Sequence, residues 1–289
     1  MIIVNLKGGL GNQMFQYALG RRLTLQNKDT LKLDTTGLAR ANNVGDIYRP
    51  FALDAFAIEK EIATAEEIKA LKYPYGIISK GLRRFRFKVL KQTNTLFIPK
   101  MLHVNGNLYL DGYWQSPRYF DDIRDTLLHD FTLNAPLSAA GNSYATQMKE
   151  TVSVSIHVRR GDYIKNPRVL KEFGICSLEY YKKAIAHIER TYTKPTYFVF
   201  SDDIAWVKEN VGINGTAIFV SDPTINDTSE LALMSTCKHN IIANSSFSWW
   251  GAWLNQNPEK IVVAPAPWFE SEPYDTHLIP PTWTQLPKS

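Results

Sequence analysis

Short apolar runs alternate with amphipathic stretches along most of the chain, a pattern typical of an α/β protein. Thr64 followed by Glu67 predicts a capping box at the start of one helix. Strand-to-helix alternation in the second half predicts a parallel sheet with right-handed crossovers. The apolar runs predict strands at 1–6, 31–34, 107–113, 152–158, 196–201, 217–221, 240–244 and 260–264. Apolar residues at helical spacing predict helices at about 12–26, 64–71, 116–131, 177–191, 203–211, 228–238 and 246–255.

A stretch rich in small and turn residues, 132–145, interrupts this pattern near the middle of the chain. Domain boundaries fall in such segments, and 289 residues are enough for two domains of ordinary size. We therefore place the boundary at about 134–151 and expect two domains, 1–145 and 146–289.

The predicted strand 152–158 ends in a glycine turn that holds several charged and polar side chains. His157, Arg159, Arg160 and Asp162 follow each other within six positions. Ligands of doubly wound sheets bind outside the carboxyl ends of the strands, so these side chains are expected in one crevice. Paired guanidinium groups there indicate a phosphate site, because their forks match phosphate oxygens bidentately. A salt-bridge cluster around Asp162 is the alternative.

Other polar groups follow or adjoin later strands. Asp202 and Asp203 end the strand 196–201, where they could cap a helix or line the crevice. Ser245 and Ser246 end the strand 240–244 and open a helix, whose free N–H groups and hydroxyls favour a second phosphate cradle. Glu230 lies in the preceding helix and could be an ordinary surface residue.

The first strand is followed at once by a glycine turn and a helix. Gly11 and Asn12 lie where this helix begins, which is a natural anion site. The turn is not a dinucleotide-binding fingerprint, because Met14 occupies the third glycine position. Glycines needed only for a tight turn and close packing are the alternative.

Composition limits the class of protein. Hydrophobic residues make up 44% and charged residues 21%, as in a soluble protein with a sizeable core. The two cysteines have no metal-ligand spacing, so we expect small buried side chains in a reducing cytoplasm. No signal peptide or membrane span is recognisable, which predicts a cytoplasmic protein or at most a peripheral one.

Residues 80–91 form a basic run with six lysines or arginines and no acidic residue. A solvated basic face is one interpretation. Docking on the anionic inner face of a membrane, or on a phosphorylated acceptor carrier, is another. The interleaved aromatic residues also suggest nucleic acid, but no recognised nucleic-acid-binding fold accompanies them and we expect no such partner.

Four motifs, in order along residues 8 to 254, carry a family resemblance: GGLGNQMFQYA, HVRRGDY, FVFSDD and NIIANSSFSWWGAWL. The chain resembles the bacterial α-1,2-fucosyltransferases of glycosyltransferase family 11. The resemblance implies a GT-B fold, with two Rossmann-like domains facing a central cleft. It also implies inverting transfer of L-fucose from GDP-β-L-fucose to the 2-hydroxyl of a galactoside, in surface-glycan or O-antigen synthesis.

The resemblance further implies that the N-terminal domain holds most of the acceptor, a galactose-containing oligosaccharide or lipid-linked glycan, and the C-terminal domain the donor. GDP-fucose is then a substrate and no cofactor is expected. The sequence contains no D-x-D, so we expect no metal site, and leaving-group charge would be met by Arg159, Arg160 and the N–H groups of the Ser245–Phe247 turn. A fucosyltransferase of another linkage, a non-catalytic guanine-nucleotide-binding protein and a nucleic-acid-binding protein are the alternatives.

Individual roles follow from the same resemblance. It places Arg159 at the β-phosphate, His157 against the nucleoside and Glu230 at guanine. It also assigns Ser245, Ser246 and Phe247 to the phosphates or base, and sets Gly11 and Asn12 across the cleft from the donor. Asp162 is our candidate for the base that deprotonates the acceptor hydroxyl, although it could instead orient Arg159 or Arg160.

Overall fold

The computed structural model describes residues 1–38, 49–72, 87–92, 96–270 and 277–289. The chain divides into two compact units after Asn134. Residues 277–278 belong to the first unit, so that the second comprises 135–270 and 279–289 of the described chain.

The first unit is built on a four-stranded parallel sheet in the order β2-β1-β4-β3. Its central strand β1 is apolar because both faces are covered, and Ile2, Ile3 and Val4 are completely buried. The elements of this unit are β1 (Ile2–Asn5), α1 (Leu10–Asn27), β2 (Leu31–Asp34), α2 (Ala65–Lys72), β3 (Phe87–Lys91), β4 (Asn107–Asp111) and α3 (Arg124–Asp130).

The second unit is built on a six-stranded parallel sheet in the order β10-β9-β8-β5-β6-β7. Its strands are β5 (Ser153–Val158), β6 (Thr196–Ser201), β7 (Thr216–Phe219), β8 (His239–Ile241), β9 (Val262–Ala266) and β10 (Thr284–Pro287). Its helices are α4 (Ala139–Glu150), α5 (Gly161–Lys165), α6 (Pro167–Phe173), α7 (Leu178–Glu189), α8 (Ile204–Asn210), α9 (Asp227–Thr236) and α10 (Ser246–Leu254). Together the two parallel sheets confirm the α/β class and the pair of Rossmann-like units expected of a GT-B protein.

Strand order locates the functional edge of the second sheet. The chain passes from β5 to β6 and β7 on one side, then returns to β8, β9 and β10 on the other. The order therefore reverses between β5 and β8, and the carboxyl ends of these strands form a topological switch point, where open α/β sheets bind ligands.

Several elements differ from the sequence predictions. The stretch 116–131, predicted as one helix, forms two short 3₁₀ turns followed by α3. The segment at the predicted boundary contains α4, which packs in the second unit. Strands β3 and β10 and helices α5 and α6 were not predicted. Trp249, Trp250 and Trp253 lie in the core, each at most 3% exposed.

Candidate functional site

Strand β5 ends beside β6, and the loops that follow the two strands are joined by ionic and backbone contacts. The Arg159 guanidinium lies 3.3 Å from a carboxylate oxygen of Asp202. The two oxygens of the same carboxylate accept hydrogen bonds from the backbone N–H groups of Arg160 and Gly161, each at 3.0 Å. Asp202 thus fixes both the turn after β5 and the guanidinium that the turn presents.

Gly161 is required by this close approach. A Cβ atom at this position would lie 2.8 Å from the Asp202 Oδ2 atom, inside normal contact distance. Any side chain would therefore push the carboxylate away from the N–H groups that it accepts from.

Arg160 is held differently from Arg159. Its guanidinium carbon lies 3.4 Å from the centre of the Trp206 ring, a cation–π contact, and its Nε is 3.8 Å from Asp203. The buried Nε has no hydrogen-bond partner among the described residues. Asp203 also caps α8 by accepting from the Trp206 N–H at 3.2 Å. The sequence left two roles open for Asp202 and Asp203, helix capping and lining of the crevice. The structure gives one role to each residue: Asp203 caps a helix and Asp202 lines the strand ends.

His157 is buried and uncharged. Its side chain is 3% exposed, and burial lowers its pKa to about 3, helped by the positive charge of Arg159 and opposed by Asp202. The imidazole ring lies 5.6 Å from the ring of Phe247, and its Nδ1 is buried without a hydrogen-bond partner among the described residues. A neutral ring of this kind suits stacking or hydrogen bonding rather than charge neutralisation.

Glu230 lies in the first turn of α9, within electrostatic range of the same group of residues. Burial is the main cause that raises its pKa to about 7, and the negative charges of Asp227 and Asp202 raise it further, while Arg159 lowers it. A carboxyl so placed is poised to ionise when donors approach it. It is therefore not an ordinary solvated glutamate.

Helix α10 begins at the switch point with its first turn open. Ser245 is the N-cap residue, but its side chain makes no capping hydrogen bond. Ser246 and Phe247 follow in the first turn, where backbone N–H groups have no partners within a helix. This N-terminus combines hydroxyls, N–H groups and the positive end of the helix dipole.

Asn244 was not singled out from the sequence, although it lies within one of the quoted motifs. Its fully buried amide donates to the backbone carbonyls of Phe173 at 2.7 Å and of Trp268 at 3.3 Å. Its own carbonyl accepts from the Tyr163 hydroxyl at 3.1 Å. Asn244 thereby ties the segment that precedes α10 to the end of α6 and to the loop after β9.

The remaining predicted residues divide into two groups. Gly11 and Asn12 lie in the first turn of α1 in the first unit, where the Asn12 Oδ1 atom accepts from Gln115 at 2.7 Å. Asp162 lies in α5, but its side chain is outside the described residues, as are residues 80–86 of the basic run. These predictions stay predictions.

No group of three or more His, Cys, Asp or Glu side chains in the described ranges is arranged to hold a metal ion. No helix of the described chain is long and apolar enough to cross a bilayer. Cys176 and Cys237 are both buried free thiols, as expected.

The second unit is a parallel sheet whose switch point holds arginines, a carboxyl group and an open helix N-terminus. This arrangement is typical of a nucleotide-binding α/β enzyme. Comparison with known proteins gives the family: the chain belongs to glycosyl transferase family 11, whose model matches residues 1–286.

Three relatives are similar over most of this chain. An alpha-1,2-colitosyltransferase of Escherichia coli is 34% identical, over all of this chain and 99% of that protein. The O-antigen biosynthesis glycosyltransferase WbnK of Escherichia coli is 37% identical, over 91% of this chain and 93% of that protein. The galactoside 2-alpha-L-fucosyltransferase Sec1 of Mus musculus is 24% identical, over 88% of this chain and 64% of that protein.

Proposed function

We propose that this glycosyltransferase transfers L-fucose from GDP-β-L-fucose to the 2-hydroxyl of a galactoside, with inversion, in surface-glycan or O-antigen synthesis. The observation that carries the proposal is the grouping of Arg159, His157 and Glu230 at the switch point of the second sheet, beside the open N-terminus of α10. One relative is named for galactoside 2-fucosylation, another for an α-1,2 linkage and a third for O-antigen synthesis.

Each part of a guanosine diphosphate would find suitable chemistry in this group. Guanine presents two parallel donors, N1–H and the 2-amino group, which an ionised Glu230 can accept together. The nucleoside would lie against the neutral His157 ring beside Phe247. The diphosphate would take Arg159 and the Ser245–Phe247 turn, whose cation and N–H groups stabilise anions.

The same residues would assist departure of the nucleotide. Charge on the β-phosphate grows as the bond to the fucosyl carbon breaks, so a fixed guanidinium there stabilises the transition state more than the ground state. The fucosyl carbon becomes oxocarbenium-like, as in other glycosyl transfers. Asp162 stays our candidate for accepting the proton of the attacking hydroxyl.

A second donor is favoured by one specific observation, the full-length similarity to a colitosyltransferase. Colitose is L-fucose without its 3-hydroxyl, so the two donors differ in a single hydrogen-bonding group. A site built to bind that hydroxyl can reject the deoxy sugar by roughly 10⁴-fold, whereas a site that leaves it in solvent accepts both.

The test is a matrix of donors and acceptors. The protein is incubated with GDP-L-fucose or GDP-L-colitose and a panel of β-galactosides, and the product linkage is determined by NMR. We expect α-1,2-linked fucose on galactose. Transfer from the colitose donor alone would show that colitose, not fucose, is the transferred sugar. A product with another linkage would overturn the proposed 2-hydroxyl acceptor position. Binding of GDP without transfer would indicate a non-catalytic module.

A further inference from the structure

The sheet of the first unit has a switch point of its own. The chain leaves β1 toward β2 on one side, and β4 lies on the other side of β1. The carboxyl ends of β1 and β4 therefore form the edge where a parallel sheet of this kind binds ligands. The second unit's site uses the corresponding edge of the other sheet.

A compact polar cluster occupies this edge. Asp111 ends β4 and accepts from the Asn5 side chain at 3.1 Å and from the Lys7 ammonium at 3.0 Å. Burial alone would raise the pKa of Asp111, but Lys7 and Asn5, together with the positive charge of Lys91, hold it below its ordinary value, so the carboxylate stays ionised. Each of these groups has further donor or acceptor capacity that the cluster itself does not use.

An aromatic side chain stands next to the cluster. Tyr113 is 40% exposed, and the Lys7 ammonium lies 5.0 Å from the centre of its ring. The loop that carries it is rigidly held, because the Gln92 side chain accepts from the backbone N–H groups of Tyr113 at 3.2 Å and of Trp114 at 2.7 Å. Trp114 itself is buried with a left-handed backbone, φ 55°, a strained conformation that functional loops often retain.

The combination of these groups suggests the chemistry of a ligand. The C–H face of a pyranose packs on an aromatic ring, while its hydroxyls exchange hydrogen bonds with charged and amide side chains. The Lys7 ammonium is paired with the Asp111 carboxylate at 3.0 Å, so the pair offers a donor and an acceptor side by side, as the hydroxyls of a sugar require. The cluster is thus suited to a neutral sugar.

We propose that Tyr113, Asp111 and Lys7 form a subsite for the galactose ring of the acceptor. This inference rests on the proposed function for the identity of the sugar. Tyr113 supplies the packing surface, and Asp111 and Lys7 fix the orientation of the hydroxyls. The subsite lies wholly within the first unit.

The experiment measures sugar binding separately from transfer. Saturation-transfer difference NMR with N-acetyllactosamine, lactose and methyl β-D-galactoside, without donor, reports binding to the full chain. Tyr113→Ala is expected to weaken binding about tenfold or more, the loss typical of removing a central aromatic contact. Tyr113→Phe, which keeps the ring, should bind nearly as well as the wild type. Asp111→Asn tests the polar half of the subsite.

Leu25→Ala is the matched control. Leu25 is 42% exposed, lies in the same unit and occupies the opposite end of α1 from the strand ends. It should bind the sugars as the wild type does, and all variants should keep the wild-type affinity for GDP and similar thermal midpoints.

Wild-type binding of all three sugars by both Tyr113→Ala and Asp111→Asn would overturn the subsite, as would a wild-type protein that binds none of them. Sugar binding that depends on Tyr113 without transfer from any donor would instead contradict the proposed function and leave the subsite standing.

Discussion

Substitution of Glu230 by glutamine is expected to have two effects: it stabilises the nucleotide-free protein and it weakens donor binding. The pKa of Glu230 is raised to about 7, from an ordinary value of 4.5 in the unfolded chain, mainly by burial and then by Asp227 and Asp202. Between these two values the folded protein holds a proton that the unfolded chain has lost. The contribution of Glu230 to stability is therefore greatest below pH 4.5 and is lost as the pH rises from 4.5 through 7, by about 3 kcal/mol at most.

Urea unfolding of the nucleotide-free protein from pH 5 to pH 8 measures this loss. The wild type should lose stability across the range relative to Glu230→Gln, because glutamine has no proton to give up. At pH 8 the variant should be the more stable protein. Glu209→Gln, an exposed position on α8 in the same unit, is the control and should follow the wild type.

Donor binding should show the opposite trend. Only the ionised carboxylate accepts both guanine donors, so the Kd of the wild type for GDP-fucose should rise about tenfold per pH unit below 7. The esterified diphosphate gains no proton in this range, and His157 stays neutral. Glu230→Gln should bind weakly with little pH dependence. Wild-type and variant curves that run parallel for both stability and binding would refute the reasoning.

Three further predictions concern the proposed function. Arg159→Lys should lower kcat about 10²-fold or more, because an ammonium cannot reproduce the guanidinium fork, and near-normal steady-state kinetics would remove Arg159 from that role. Activity should survive EDTA and gain little from Mg²⁺ in the same assay; loss on chelation that a divalent ion restores would overturn metal-free transfer. The basic run 80–91 should bring the protein down with anionic but not neutral vesicles at low salt, since each cation is worth about 1 kcal/mol there, and equal partitioning would leave a solvated basic face.

The strands predicted best were those buried on both faces. In β1 and β5 nearly every residue is inaccessible to solvent, so β-branched residues, consecutive in β1 and at every second position in β5, were a sufficient signal. The capping box was also confirmed, with reciprocal bonds between Thr64 and Glu67 at 2.9 and 3.2 Å. Its geometry depends only on local sequence.

The elements that were missed depend on their surroundings. Both β3 and β10 lie at sheet edges, where one side of the strand lacks a partner and charged or proline residues are tolerated. The sequence pattern predicts a domain boundary and no helix at α4, because the small residues of this helix bury little more than Gly141 and Met148. In 116–131, Pro117 opens a 3₁₀ turn in place of the predicted helix.

For the site, the sequence predicted which strand ends are polar but not how the polar groups pair. Asp202 and Asp203 are adjacent and chemically identical. Only the position of α5 determines that Asp202, and not Asp203, accepts hydrogen bonds from the backbone N–H groups of the arginine turn. Trp206 could not have been linked to Arg160, since the contact joins the turn after β5 to helix α8, and the sequence does not show that these two segments meet. The Asn244 side chain binds backbone carbonyls, and because every residue has one, the sequence does not show which residues are its partners.

Helices α9 and α10 are pressed together where Gly251 meets Met234: a Cβ on the glycine would lie 2.8 Å from the Met234 Cβ. Glu230 and Ser245 sit toward the starts of these same two helices, so their separation is set by a rigid joint rather than by a loop. In the proposed donor site this helix contact fixes the distance between the residue that binds the base and the turn that binds the phosphates. A redesign aimed at another nucleobase can therefore exchange Glu230 while keeping that distance. A redesign aimed at a nucleotide of different length must change the packing between α9 and α10 itself.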